Sequence, residues 1–207
     1  MNQLTKEFIT QDVIDAAAAK GITIKMQYSE VEQNPRRAWR RASKLVTGNT
    51  GRLSGLSDLT MPNKMYAHSL SKTINNFAKA WGINRDDMVV LGICAIDHGE
   101  ISIAVTPHRC VFDKEYSGFI YENKQDLYAE FGVKRITKKI QQTVERRLRA
   151  ELTELVQWAN GEVGELVIEK DGKAVDWRGG LYAATVDYIT LIALDMINDY
   201  SEECEAA

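Results

Sequence analysis

Residues 116–188 read YSGFIYENKQDLYAEFGVKRITKKIQQTVERRLRAELTELVQWANGEVGELVIEKDGKAVDWRGGLYAATVDY, and this run decides the fold. SGFIY is an aromatic strand. A short helix follows from about Lys124 to Phe131, with Gly132 free to adopt the left-handed conformation that closes it. Thr137 then caps a long helix that ends near Asn160-Gly161. Its apolar residues Ile136, Ile140, Val144, Leu148, Leu152, Leu155 and Trp158 recur every three or four positions, which makes one stripe for a core or a helix seam. Glu162 to Glu169 and Lys173 to Trp177 flank Asp171-Gly172, a strong two-residue hairpin signal.

Outward from this run the pattern continues. A helix from about Thr10 to Lys20 precedes ITIKMQY, in which Ile22, Ile24 and Met26 alternate with polar residues as in a half-buried strand. Asn34-Pro35 opens a second helix that would run to Val46. Residues 46–63, rich in glycine and serine, read as a flexible loop. Asn63 would cap a helix to Trp81, with Leu70, Ile74, Phe77 and Trp81 on its inner face and Gly82 at its end. MVVLGICAID and EISIAVT form a hairpin about His98-Gly99, with Ile101, Ile103 and Val105 on one side. A last helix from Thr185 to about Tyr200 buries Ile189, Ile192, Ala193, Met196 and Ile197. Strands in hairpins and helices in separate runs give an α+β class: a mainly antiparallel sheet packed against a long helix, with a small N-terminal helical lobe. The expected division is a lobe over 1–62 and a main body over 63–207.

Composition bounds the rest. The chain has 207 residues, 44% hydrophobic and 27% charged, enough for a real core. The longest apolar stretches, such as Met88 to Ile96, are too short for a membrane helix, and MNQLTKEFITQD has no signal-peptide pattern, so a cytoplasmic protein without a membrane partner is expected. Three cysteines without regular spacing fit a reducing compartment. Net charge is only −3, yet it is segregated. Arg36, Arg37, Arg40, Arg41, Lys44 and Arg52 occur with no acid among them, and six acids follow Thr185 with no base.

Catalytic patterns fare poorly. Cys94, His98, His108 and Cys110 suggest zinc, but a two-residue turn at His98-Gly99 sets Cys94 opposite Ile103 and the two histidines roughly 25 Å apart. Cys94 lies in an apolar strand, where a thiol is usually inert packing. Asp97-His98 in a polar turn is weak evidence for acid–base chemistry. No phosphate-binding glycine loop has the required spacing; Gly179-Gly180 before the last helix could hold an anion, and a tight turn explains it equally well. No cofactor is expected.

The best candidate surface is the segment 35–46. As a helix it would align Arg37, Arg40, Arg41 and Lys44 on one face, suited to phosphates or a carboxylate-rich partner, with Trp39 to stack on a base or anchor an interface. Arg36 and Arg52 extend it. The competing reading has Trp39 in the core and the arginines paired with Glu30, Glu32 or the acidic C-terminal helix. The basic residues of the long helix, Lys134, Arg135, Lys138, Lys139, Arg146, Arg147 and Arg149, read as a solvated face.

The stretch from about Val89 to Tyr188 resembles a family of small proteins encoded by bacteriophages and mobile elements. The likeness rests on Gly118 to Tyr121, Phe131-Gly132, Lys134 to Lys139, Gly161-Glu162-Val163, Asp171-Gly172, Val175-Asp176 and Gly180-Leu181-Tyr182. It departs at Trp177-Arg178-Gly179-Gly180, where Ser-Cys-Trp-Gly is usual, and at Ala183, where glycine is usual. The family has no established activity, so no catalytic residues carry over. The resemblance implies a phage origin, and by analogy a non-enzymatic protein that inhibits a bacterial defence complex, of CRISPR or restriction type, or a regulatory complex. Its partner would be a host protein or protein–nucleic acid complex in the host cytoplasm, with homo-oligomerisation left open. A nucleic-acid-binding accessory protein using 35–46 is the second expectation. A small nucleotide-binding or hydrolytic enzyme around Asp97, His98 and Asp176 is the third.

Overall fold

A computed structural model describes residues 3–29, 33–38, 41–48, 51–62, 69–105, 117–182 and 185–205. In chain order the elements are α1 (Gln3–Phe8), α2 (Gln11–Ala19), β1 (Thr23–Tyr28), α3 (Pro35–Ala38), β2 (Lys44–Gly48), α4 (Gly51–Leu56), β3 (Leu59–Met61), α5 (Leu70–Trp81), β4 (Met88–His98), β5 (Glu100–Val105), β6 (Gly118–Asn123), α6 (Lys124–Phe131), α7 (Lys138–Ala159), β7 (Gly164–Lys170), β8 (Lys173–Leu181) and α8 (Val186–Glu205). The class is α+β, as expected, with an antiparallel three-stranded sheet and a mixed five-stranded sheet. Among the described residues no helix is long and apolar enough to cross a membrane.

The chain divides differently from the expected 1–62 and 63–207. One compact unit joins Met1–Glu32 to Gly161–Ala207, and the other spans Gln33–Asn160. The reason is non-local pairing: β1 is antiparallel to β7, with Thr23 opposite Glu169 and Tyr28 opposite Gly164. The N-terminal segment therefore shares its sheet and core with the C-terminal segment.

In the first unit the strand order is β1-β7-β8. Ile24, Met26, Leu166, Ile168 and Leu181 point to one face and pack with Val13 and Ala17 of α2 and with Ile189, Ala193, Met196 and Ile197 of α8. Asp171 and Gly172 both have positive φ (52° and 75°), the backbone that a two-residue hairpin turn requires.

In the second unit the order is β3-β2-β6-β4-β5. Leu45, Leu91, Ile93 and Ile120 face the α7 stripe of Val144, Leu148, Leu152 and Leu155. Val46, Met88, Phe119 and Tyr121 face Ile74 and Phe77 of α5. Because helices cover both faces, β6 is buried over nearly its whole length, and GFIY reads as an uninterrupted apolar run instead of an alternating one. Thr137 caps α7 by accepting from Ile140 N, as expected. Ser69 caps α5, and the segment 63–68, where Asn63 was expected to do so, lies outside the described residues.

Three expectations need correction. The helix from Pro35 to Val46 is a single turn, Pro35–Ala38, after which Lys44–Gly48 pairs with β6 as a strand. The leucine–valine pair at 45–46 gains more by filling both faces of the sheet than by extending a helix. The loop expected over 46–63 contains α4 and β3, and β3 runs parallel to β2. The β4–β5 hairpin turns at Gly99 alone, φ 93°, so His98 faces Glu100 and Cys94 faces Ala104. This register aligns Ile101, Ile103 and Val105 with Ile93 and Ala95 on the side facing α7, which a slip of one residue would undo.

Candidate interaction surface

Structure disperses the arginine segment. Arg36, expected at a partner surface, is only 5% exposed. Its guanidinium donates to Glu151 Oε2 at 2.9 Å, Asp58 Oδ2 at 2.6 Å, and Ser43 O and Oγ at 3.1 Å each. Ser43 Oγ also donates to Glu151, and Asp58 accepts from Leu45 N at 2.7 Å. The residue thus fastens α3 and the start of β2 to α7. Arg41 pairs with Glu154, one turn along α7. Arg52 donates to Asp97 Oδ1 at 3.0 Å and 2.6 Å and to Gly99 O at 2.7 Å, so it braces the β4–β5 turn. Arg37 and Lys44 are exposed, but Lys44 sits in β2 and shares no helix with Arg37. Trp39 and Arg40 lie outside the described residues.

Acids expected to neutralise these arginines were Glu30, Glu32 and the C-terminal helix; those found for Arg36, Arg41 and Arg52 are Glu151, Glu154, Asp58 and Asp97. Glu151 interrupts the inner stripe of α7 between Leu148 and Leu152. A carboxylate at a core position is the signal that a cation must reach it.

A second buried carboxylate, Glu122 at the end of β6, holds Arg147 of α7, which donates from Nε at 3.0 Å and again from Nη2. Arg147 also donates to Glu130 of α6 at 2.6 Å and 3.0 Å. Burial raises the Glu122 pKa above its ordinary value against the opposing pull of Arg147, whereas the hydrogen bond from Arg147 lowers that of Glu130. The Glu154 pKa is also raised by burial. A raised carboxylate pKa favours the folded state most below the unfolded value of about 4.3 and loses that contribution as pH rises through the folded value. Glutamine at 122 does not titrate. The stability difference between Glu122→Gln and the wild type should therefore shift toward the variant from pH 3.5 to pH 7 in urea denaturation. A shift the other way contradicts the burial account.

Asp97 is engaged by Arg52, and the Asp176 carboxylate accepts from Trp177 N at 2.7 Å; the two aspartates belong to different units. Cys94 is buried. The His98 side chain, His108 and Cys110 lie outside the described residues. Among the described residues no three His, Cys, Asp or Glu are grouped to hold a metal ion.

The feature that sequence reasoning missed lies on the outer face of β1-β7-β8. Trp177 is 68% exposed there. The hairpin starts in simple register, Lys170 opposite Lys173 and Glu169 opposite Ala174, but then Ile168 faces Asp176 and Val167 faces Trp177. Val175 is the extra residue of a bulge. Had the first register continued, Trp177 would lie opposite Leu166, on the core face; the bulge turns it outward. Arg178 consequently falls on the helix side and donates to Asp195 of α8 at 3.0 Å.

Around Trp177 this outer face has an interface-like layout. Val167 and Ala174 lie beside the indole in a shallow depression, with Lys25, Gln27, Glu165 and Glu169 around them. Cross-strand pairs order that rim: Lys25 with Glu169, and Gln27 Nε2 donating to Glu165 at 2.8 Å. Gly179 lies beside the ring, where a methyl group would stand in ordinary contact with Trp177 Cζ3 at 3.4 Å. A large aromatic surrounded by satisfied polar groups is the composition that carries binding energy at protein interfaces.

Searches against protein-family models, curated proteins and solved structures each return no match for this chain.

Proposed function

We propose that this chain is a non-enzymatic binding protein that holds a protein partner against the outer face of β1-β7-β8, with Trp177 as the anchor. One observation carries the reading: a tryptophan turned to solvent by a β-bulge, on a face whose polar groups are already paired. Leaving so large an apolar side chain in water forgoes roughly 1.5–3 kcal/mol of burial, which an interface recovers. The dispersal of Arg36, Arg41 and Arg52 into internal ion pairs supports this surface over the arginine segment. The resemblance of Val89–Tyr188 to bacteriophage accessory proteins supports a bacterial host complex as the partner. In this reading the chain blocks a defence or regulatory assembly by occupying it in the host cytoplasm.

The test is quantitative capture from nuclease-treated bacterial lysate with wild type, Trp177→Ala and Lys173→Ala. A specific host protein should be enriched by wild type and by Lys173→Ala, and depleted about 30-fold with Trp177→Ala, the effect of losing an interface hot spot. Equal capture by Trp177→Ala, or no wild-type-specific protein, overturns the reading.

A further inference from the structure

We infer that the outward face of α7 is a second binding site, for the phosphate backbone of duplex DNA. The observation is how completely the helix sorts its charges. Acids turn inward or sideways: Glu151 to Arg36 and Glu154 to Arg41. Arg147 turns sideways to Glu122 and Glu130. Lys138, Lys139, Arg146 and Arg149 are all exposed. At about 100° per residue these four fall within an arc of about 100°, opposite the buried Val144, Leu148 and Leu155. Among the described residues none of the four makes an ion pair; Arg146 donates only to Thr143 of its own helix, at 3.3 Å. Lys134 and Arg135, also exposed, precede the helix on its N-terminal side. The one acid at the margin of the arc, Glu145, accepts from Gln141 at 2.9 Å.

Surface chemistry selects the occupant. No large hydrophobic side chain is exposed between 134 and 153, so this face lacks the apolar anchors of a protein interface and the aromatic platforms of a single-strand site. What remains is a row of cations about 17 Å long at about 1.5 Å per residue, which matches a phosphate backbone. An α-helix, about 10–12 Å across, fits along the major groove of B-form DNA, about 12 Å wide, and not the narrow major groove of A-form RNA. Contact with about four phosphates predicts a salt slope near −3.6, hence about 150-fold weaker binding at 200 mM than at 50 mM salt.

This site lies on the other unit from Trp177, so its failure leaves the protein-binding reading intact, and the reverse holds too. The experiment is fluorescence anisotropy of the full chain with a labelled 20-base-pair DNA duplex across that salt range. Duplex RNA, single-stranded DNA and polyglutamate serve as competitors. We expect the stated slope, and loss of at least about 100-fold in affinity when Lys138, Lys139, Arg146 and Arg149 are all changed to glutamine. Glu145→Lys, which adds a cation at the margin of the arc, should tighten binding and steepen the slope by about 0.9. It gives a readout independent of how the quadruple variant folds. Absence of duplex binding at 50 mM salt, an unchanged affinity in the folded quadruple variant, or no gain in Glu145→Lys overturns the inference. So does a competitor that binds as tightly as duplex DNA; polyglutamate in that role would indicate an acidic protein partner instead.

Discussion

Arg36→Ala should cost about 3–5 kcal/mol of stability, although Arg36 belongs to the exposed-looking cluster RRAWRR. The side chain is buried, and its removal strands Glu151, itself only 4% exposed, beside apolar neighbours. The Ser43 hydroxyl cannot neutralise that charge, and Asp58 loses the one cation that it meets among the described residues. Urea denaturation of the full chain should show the loss as an earlier midpoint. The paired replacement Arg36→Met with Glu151→Leu should recover most of it, because an apolar pair of similar volume often matches a buried ion pair. If Arg36→Ala leaves the midpoint unchanged, the arginine is not the internal fastener described above.

Gly118→Ala should have an effect of comparable size for a different reason. Gly118 stands opposite Thr47 in the β2–β6 ladder. A Cβ there would lie far inside van der Waals contact with the Val46 carbonyl oxygen and at 3.0 Å from Thr47 Cα. Both obstacles are backbone atoms of a central strand, so no side-chain rotation relieves them. Overpacking of this kind costs about 1–3 kcal/mol where side chains can yield; here the upper end or more is expected. The loss should appear as faster amide exchange in Lys44–Gly48 and Gly118–Asn123 as well as a lower denaturation midpoint. Wild-type stability in this variant would contradict the close approach of the two strands.

Which parts of this molecule the sequence disclosed follows from the range of the forces involved. α6, α7 and the β7–β8 turn are specified locally: Thr137 at the cap, Gly132 at a helix end, Asp171-Gly172 with the required backbone, and a stripe of apolar residues at helical spacing. Each was legible. β2 was not, because Lys44–Gly48 acquires its place inside the sheet by pairing with β6, more than 70 residues later in the chain, as well as with β3. The runs of arginine before it suggest a continuing helix. The two-unit division was hidden for the same reason, since it depends on β1 finding β7.

The candidate surfaces show that limit more sharply. Arg36 and Glu151 are 115 residues apart, so nothing local marks the arginine as internal. Trp177 reads as one more strand residue until the bulge at Val175 is known, and one extra residue changes which face it occupies. The basic arc of α7 was visible as charge and spacing. Its freedom from internal acids became visible only once Glu151, Glu154 and Glu122 were seen to serve other arginines.

The most direct measurement of the central claim is the affinity of the captured host protein for wild type and for Trp177→Ala, read together with the stability of each. Removing an exposed side chain should change stability by no more than about 0.5 kcal/mol, while affinity should fall about 30-fold or more. A folded Trp177→Ala chain that binds the partner as tightly as wild type would contradict the account.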